Sequence, residues 1–354
     1  MKKILCTLIA AILVAGCLSA CNSEKNTTAV NAKENDNKGI KIVTTIFPEY
    51  DWVMNVLGDN PGNAEVTMLL DNGVDLHSYQ PTADDILKIS SCDLFIYVGG
   101  ESDEWVEDAL KEAVNKDMIV IDLLDELGDS VKEEEIVEGM QEEDEHDHHH
   151  EDGDEDEHEH EDGDEHEHEH EEEEGPEYDE HVWLSLRNAA SLVNSIEGAM
   201  EKIDAANAGT YKANASAYTD KLNALDEEYK KAVAEGSKDT LLFGDRFPFR
   251  YLTDDYGLKY YAAFVGCSAE SEADFETIMF LSDKINELSL NSVMTIEGKD
   301  HRIAETVVQN TSSKDQNILT LDSMQSTTSA DVKSGTTYLS VMESNLNVLK
   351  EALK

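Results

Sequence analysis

The chain has 354 residues, 40% of them apolar, and carries a formal net charge of −51 from 78 Asp and Glu against 27 Lys and Arg. Binding a phosphate backbone needs clustered Lys and Arg, so this balance excludes nucleic acid as a partner and leaves a surface attractive to cations. The length suffices for two domains of ordinary size.

Lys2 and Lys3, a mainly apolar run over 4–16 and small residues before a cysteine read as an export signal over 1–20. The run is too short to cross a bilayer, which takes roughly 20 apolar residues. Val14-Ala15-Gly16-Cys17 and Leu18-Ser19-Ala20-Cys21 both resemble the lipoprotein-processing pattern. Leu18 favours Cys21 as the lipidated residue, with Cys17 the alternative. The chain would then be anchored to the extracytoplasmic face of the cell membrane, with 21–39 a flexible polar tether. Beyond the leader only Cys92 and Cys267 remain, in different halves of the chain, which argues against a disulfide framework. Neither thiol is read as a metal ligand.

From Lys41 to Asp122, apolar runs such as 42–46, 94–98 and 118–121 alternate with helical patterns such as 85–90 and 104–113. A second series follows Thr240, with strands expected near 241–243, 260–265, 292–296 and 318–321. The alternation predicts an α/β protein of two lobes, each a mostly parallel sheet flanked by helices, with ligands bound beyond the carboxyl ends of the strands. The lobes fall at 40–185 and 237–354. Between them Leu186, Ala189, Val193, Ile196, Met200 and Ile203, then Tyr211, Ala215, Tyr218, Leu222, Leu225 and Tyr229, recur at steps of three and four. That spacing predicts a long, rigid helical connection over 186–236, with Gly198 and 204–209 as points of bending or interruption.

Residues 142–174 stand apart. They carry 22 Asp and Glu, no Lys or Arg, and a repeat beginning Glu-Asp-Gly-Asp-Glu at 151 and again at 161. Without apolar side chains to offset chain entropy, such a segment is expected to be disordered in the absence of metal. It also holds nine of the twelve histidines: His146, His148, His149, His150, His158, His160, His166, His168 and His170. Imidazoles among carboxylates suit zinc, copper or nickel, so the segment reads as an accessory metal collector.

His77, His181 and His301 lie elsewhere. His77 sits on a loop between an apolar run and a helix start capped by Thr82 with Asp85, and His181 stands where the acidic segment gives way to the helical connection. Spacing alone cannot join them into a site.

The His-x-Tyr-x-Pro-Thr pattern at 77–82 and the Glu-His-x-Trp-Leu pattern at 180–184 are similar to those of the zinc- and manganese-binding solute-binding lipoproteins of ABC importers. Gly99-Gly100 with Trp105, the 207–214 segment, Tyr256-Gly257-Leu258, Leu321-Asp322, Thr337-Tyr338 and Asn345 extend the resemblance over most of the mature chain. It implies two lobes joined by a rigid helix, no enzymatic activity, capture of a divalent ion with Zn2+ ahead of Mn2+, and delivery to an ABC permease and its ATPase. It carries over His77 and His181 as first-lobe ligands and Asp322 as the second-lobe carboxylate, although Asp322 read by itself could equally cap the next segment. The family's zinc binders usually place a third histidine where this chain has Arg246, and a guanidinium has no lone pair to offer. Asp245 beside it is the substitute ligand, or else simply the partner of Arg246. Glu297, at a strand end, would support the site, and His301 matches no ligand. Two rival readings stay open, a surface metal buffer or cell adhesin and a metallohydrolase, the second without a His-Glu-x-x-His or Ser/His/Asp pattern to carry it.

Overall fold

The computed structural model describes residues 39–59, 64–141, 177–268, 272–298 and 300–354. The export signal with Cys17, the tether from Cys21 to residue 38, and the histidine-rich segment lie outside them.

Strands β1 (Lys41–Thr44), β2 (Glu65–Met68), β3 (Leu94–Tyr97) and β4 (Ile119–Asp122) form one sheet in the order β2-β1-β3-β4. Strands β5 (Thr240–Phe247), β6 (Lys259–Val265), β7 (Ser292–Thr295) and β8 (Asn317–Thr320) form another in the order β6-β5-β7-β8. Every pairing is parallel. A strand covered on both faces reads as a continuous apolar run, which is why Leu94-Phe95-Ile96 shows no alternation and is fully buried. Both sheets share one winding, with the first strand of each inside, so loops leaving the carboxyl ends on either side of it diverge and open a crevice.

The first sheet is flanked by α1 (Phe47–Leu57), α2 (Ala83–Ser91), α3 (Trp105–Lys111) and α4 (Leu123–Leu127). Thr82 and Asp85 cap α2 reciprocally, as the sequence predicts. The helical connection is two helices, α5 (Leu186–Ile203) and α6 (Ala208–Glu235), packed against each other. It breaks at Asp204, whose carboxylate accepts from the Asn207 amide at 2.6 Å and the Tyr211 hydroxyl at 2.8 Å, a local pairing that competes with helix continuation. With 28 residues α6 runs about 42 Å at 1.5 Å per residue. It packs on α1, and on α7 (Arg250–Tyr256) and α11 (Tyr338–Ala352). Helices α8 (Phe275–Leu288), α9 (Arg302–Asn310) and α10 (Ser329–Ser334) complete the second lobe.

One apolar core runs through both lobes, and a smaller one around Leu242, Phe264, Leu281 and Val307 lies within the second. Where the large core crosses between lobes, Trp52 of α1 meets Tyr338 of α11 edge to face at 5.4 Å. Separating the lobes would expose this shared apolar surface at about 25 cal/mol per Å². Among the described residues no helix is long and apolar enough to cross a membrane.

Candidate metal site

Loops at the carboxyl ends of both sheets meet over the crevice. After β2, the Asp75 carboxylate accepts the His77 backbone N–H at 3.1 Å and starts a single 3-10 turn, Leu76–Ser78, pinned by buried Leu76. The His77 ring places Nδ1 2.8 Å from Ser102 Oγ and 3.4 Å from the Glu180 carboxylate. His181 is fully buried, and Asp179 Oδ1 accepts from both its backbone N–H at 2.9 Å and its ring Nδ1 at 3.0 Å. Tyr251 of α7 fixes this element from the second lobe by donating to the Asp179 carbonyl at 2.7 Å.

With each Nδ1 committed to oxygen partners, the hydrogen-bond network leaves the lone pair of each ring on Nε2. The two Nε2 atoms face each other at 3.2 Å. Two nitrogens on one tetrahedral zinc, each about 2.0–2.1 Å from it, lie about 3.3 Å apart, so the spacing suits a shared ion. The amide nitrogen of Gln325 donates between them, 3.1 Å from His77 and 2.9 Å from His181. Burial, aided by the neighbouring His77, holds His181 well below the usual imidazole range and keeps its lone pair available. Burial pushes Asp179 up to about 7 against the pull of the His181 backbone N–H. Burial would also raise Glu180, but hydrogen bonds from His77 and Ser102 outweigh it and bring that carboxyl below its ordinary value. Carboxylates behind ligating imidazoles orient the rings and increase their basicity.

The second-lobe wall is assembled from the loop after β8, the end of β5 and the loop after β6. Glu297 holds the first of these, accepting from Ser323 N at 2.7 Å, Ser323 Oγ at 2.8 Å and Gln325 N at 3.1 Å. Arg246 pairs with Asp75 across the cleft and reaches the Gln325 amide oxygen at 3.4 Å. Burial would raise Asp75, but the Arg246 charge and hydrogen bond prevail and lower it. Trp183 Nε1 donates to the Ser323 carbonyl at 2.8 Å, a further tie between walls.

The structure thus brings His77 and His181 together, while among the described residues neither Asp322 nor Asp245 joins them in a cluster of ligand atoms within 4.8 Å. The Asp322 carboxylate caps its own loop by accepting from Met324 N at 2.8 Å, and burial followed by the charge of Glu297 raises it to about 6. Asp245 accepts from Arg246 N at 2.9 Å and from Ile296 N at 3.2 Å, tying β5 to the end of β7. His301 stands at the start of α9. Cys267, which the sequence reading set aside, joins the histidines: among the described residues His77, His181 and Cys267 offer ligand atoms all within 4.8 Å of one another. A Cβ on Gly266 would lie 2.9 Å from His181 Cε1 and from the Phe247 carbonyl, so only glycine lets the Cys267 loop approach the ring this closely. Gln325 was also missed, since a neutral amide carries no metal signal in a sequence. The cluster opens into a cleft of about 670 Å³ bearing Glu101, Glu134, Glu177 and Glu180, a cation-attracting wall.

Fold and cleft together define a two-lobed α/β protein with a candidate metal site where its lobes meet. The chain belongs to the ZnuA family, described as zinc-uptake complex component A, periplasmic, whose sequence profile matches residues 42–352. It is similar to the zinc-binding lipoprotein AdcA of Streptococcus pneumoniae, 31% identical over 353 residues, covering 99% of this chain and 61% of AdcA. It is also similar to the high-affinity zinc uptake system protein ZnuA of Bacillus subtilis, 26% identical over 341 residues and 96% of each chain. The crystal structure of the Zn(II)-bound ZnuA-like domain of Streptococcus pneumoniae AdcA superposes with a TM-score of 0.65 at 26% identity, covering 89% of this chain and 99% of that one. The chain therefore spans about three-fifths of the length of its AdcA relatives.

Proposed function

We propose that this protein captures extracytoplasmic zinc in the cleft and hands it to an ABC permease and its ATPase, without catalysing a reaction itself. The observation that carries the reading is the pair of His77 and His181 Nε2 lone pairs 3.2 Å apart, each ring held at Nδ1 by oxygen partners. The zinc-binding and zinc-uptake names of AdcA and ZnuA support it. Nitrogen donors favour zinc over manganese, which prefers oxygen. Lipidation at Cys21 would hold the protein at the membrane surface. The segment 142–174 would collect ions weakly, since ordering it on binding costs entropy that a preorganised cleft avoids. Gln141 and Glu177, which flank that segment, both line the cleft.

Metal analysis and zinc competition titration test the reading on the intact chain, a His77→Ala/His181→Ala variant and a 142–174 deletion. One tight equivalent is expected to vanish in the double variant and persist in the deletion, which loses only weak equivalents. Tight zinc binding that survives the double substitution overturns the site.

A further inference from the structure

Two imidazoles do not complete a tight zinc site, which takes at least three protein ligands when one position is left open. The residues around the pair narrow the choice. Arg246 has no lone pair, Asp245 and Asp322 accept from backbone N–H groups and fall outside the 4.8 Å cluster of ligand atoms, and Glu180 lies on the Nδ1 side of His77. Among the His, Cys, Asp and Glu side chains of the described residues, Cys267 is the one whose ligand atom lies within 4.8 Å of those of both histidines, and unlike the neutral Gln325 amide between the rings it can bring a negative charge to the ion. Its loop is brought there by construction: Gly266 packs its bare Cα against the His181 ring, and the Cys267 backbone N–H donates to Glu134 at 3.3 Å.

We propose that Cys267 is the third protein ligand of the cargo ion, binding it as a thiolate together with His77 and His181. This rests on the reading of the histidine pair as the metal site. In a tetrahedral zinc complex, with Zn–S about 2.3 Å and Zn–N about 2.0–2.1 Å, sulfur and nitrogen lie about 3.6 Å apart, so an approach of about 1 Å closes the site. One S–Zn bond forms, one S–H bond breaks, and the proton leaves to water. The ion meets one negative and two neutral donors and keeps a fourth position through which it can be exchanged. The ligand class follows. A thiolate selects borderline and soft cations, zinc and cadmium, and rejects manganese more sharply than imidazole and carboxylate alone would.

Cobalt(II) replaces zinc as a spectroscopic probe. One equivalent added to the full-length chain is expected to give a sulfur-to-cobalt charge-transfer band in the near ultraviolet, lost in Cys267→Ser and retained in Cys92→Ser. The histidine-rich segment contains no sulfur and cannot produce the band. Zinc affinity should fall in Cys267→Ser by more than the roughly 10- to 100-fold that loss of a supporting residue costs, while the weak affinity for manganese changes little. Independently of that variant's folding, one equivalent of zinc should protect Cys267 of the unmodified chain from iodoacetamide. Tight cobalt binding without the band, or zinc-loaded protein alkylated at Cys267 as fast as the apoprotein, overturns the thiolate and leaves the histidine site standing. Failure of the full-length chain to bind either metal tightly overturns both.

Discussion

On the first-lobe wall each imidazole is held from behind: His181 by a fully buried Asp179 that grips both its ring and its backbone, His77 by Ser102 and Glu180. On the second-lobe wall the groups that approach the ion position are a neutral amide, a guanidinium bonded across the cleft and a thiol on a glycine-bearing loop. In the site we propose, one wall is preorganised for metal and supplies the position. The other supplies the choice among metals and the ties that close the cleft. This difference assigns energetic weight, and substitutions on the two walls should separate it.

The largest loss is expected at His181. In His181→Ala, zinc affinity should drop by well over the 10- to 100-fold typical of outer-shell changes. The apoprotein should also lose about 1–3 kcal/mol, because Asp179 is left buried without its ring partner. Competition titration and urea unfolding read the two effects. An affinity change below tenfold would mean that the first wall does not hold the ion.

Asp179→Asn keeps an acceptor for the His181 Nδ1–H but removes the charge behind the ring, so a loss of about 10- to 100-fold is expected in the same titration. Arg246→Gln should cost less, under about tenfold. It loosens the tie to Asp75 and Gln325, yet it also removes a positive charge from the cleft, and these contributions oppose each other. Asp245→Ala should lower stability by about 1–3 kcal/mol through the orphaned Ile296 N–H, with a still smaller change in affinity. Should Asp245→Ala weaken zinc binding more than Asp179→Asn does, the ranking of the walls is reversed.

The same asymmetry governs what could be read before the structure. Buried parallel strands announce themselves as apolar runs, and Thr82 with Asp85 marked a helix start through its capping chemistry. The His77 and His181 motifs were legible through their resemblance to a known family, and each is compact because local backbone contacts, Asp75 to His77 and Asp179 to His181, hold those residues within two positions. The second wall depends on contacts distant in sequence. Nothing near Cys267 signals that Gly266 will rest on a ring 85 positions earlier, and Gln325 reaches the site through Glu297. The extent of β5 was underestimated for a related reason: Gly244, whose Cβ would strike the Ala304 backbone at 2.5 Å, lets the strand press on α9 and continue irregularly to Phe247.

The smallest effect on metal binding should come from the scaffold behind the first wall, at the junction of α1, α6 and α11. There Asp51 accepts from the Tyr218 hydroxyl at 3.0 Å and the Asn55 amide at 2.9 Å. Burial raises its carboxyl to about 6 despite those hydrogen bonds, against 3.8 for an ordinary Asp. Because the folded-state value is the higher one, the folded protein binds this proton more tightly than the unfolded chain does. The associated stability is fully present below pH 3.8 and is lost as pH rises through 6, so at neutral pH the ionised, buried carboxylate costs about 3 kcal/mol at most. Asp51→Asn keeps the shape and an acceptor oxygen while removing the titration. Urea unfolding at pH 7 and pH 4.5 should therefore show the variant gaining on the parent at pH 7 and losing most of that advantage at pH 4.5, with zinc affinity at pH 7 unchanged. Parallel pH profiles would remove Asp51 as a titrating strain. A shifted zinc isotherm would mean that the scaffold and the histidine wall are coupled, and that the first wall's rigidity depends on this junction.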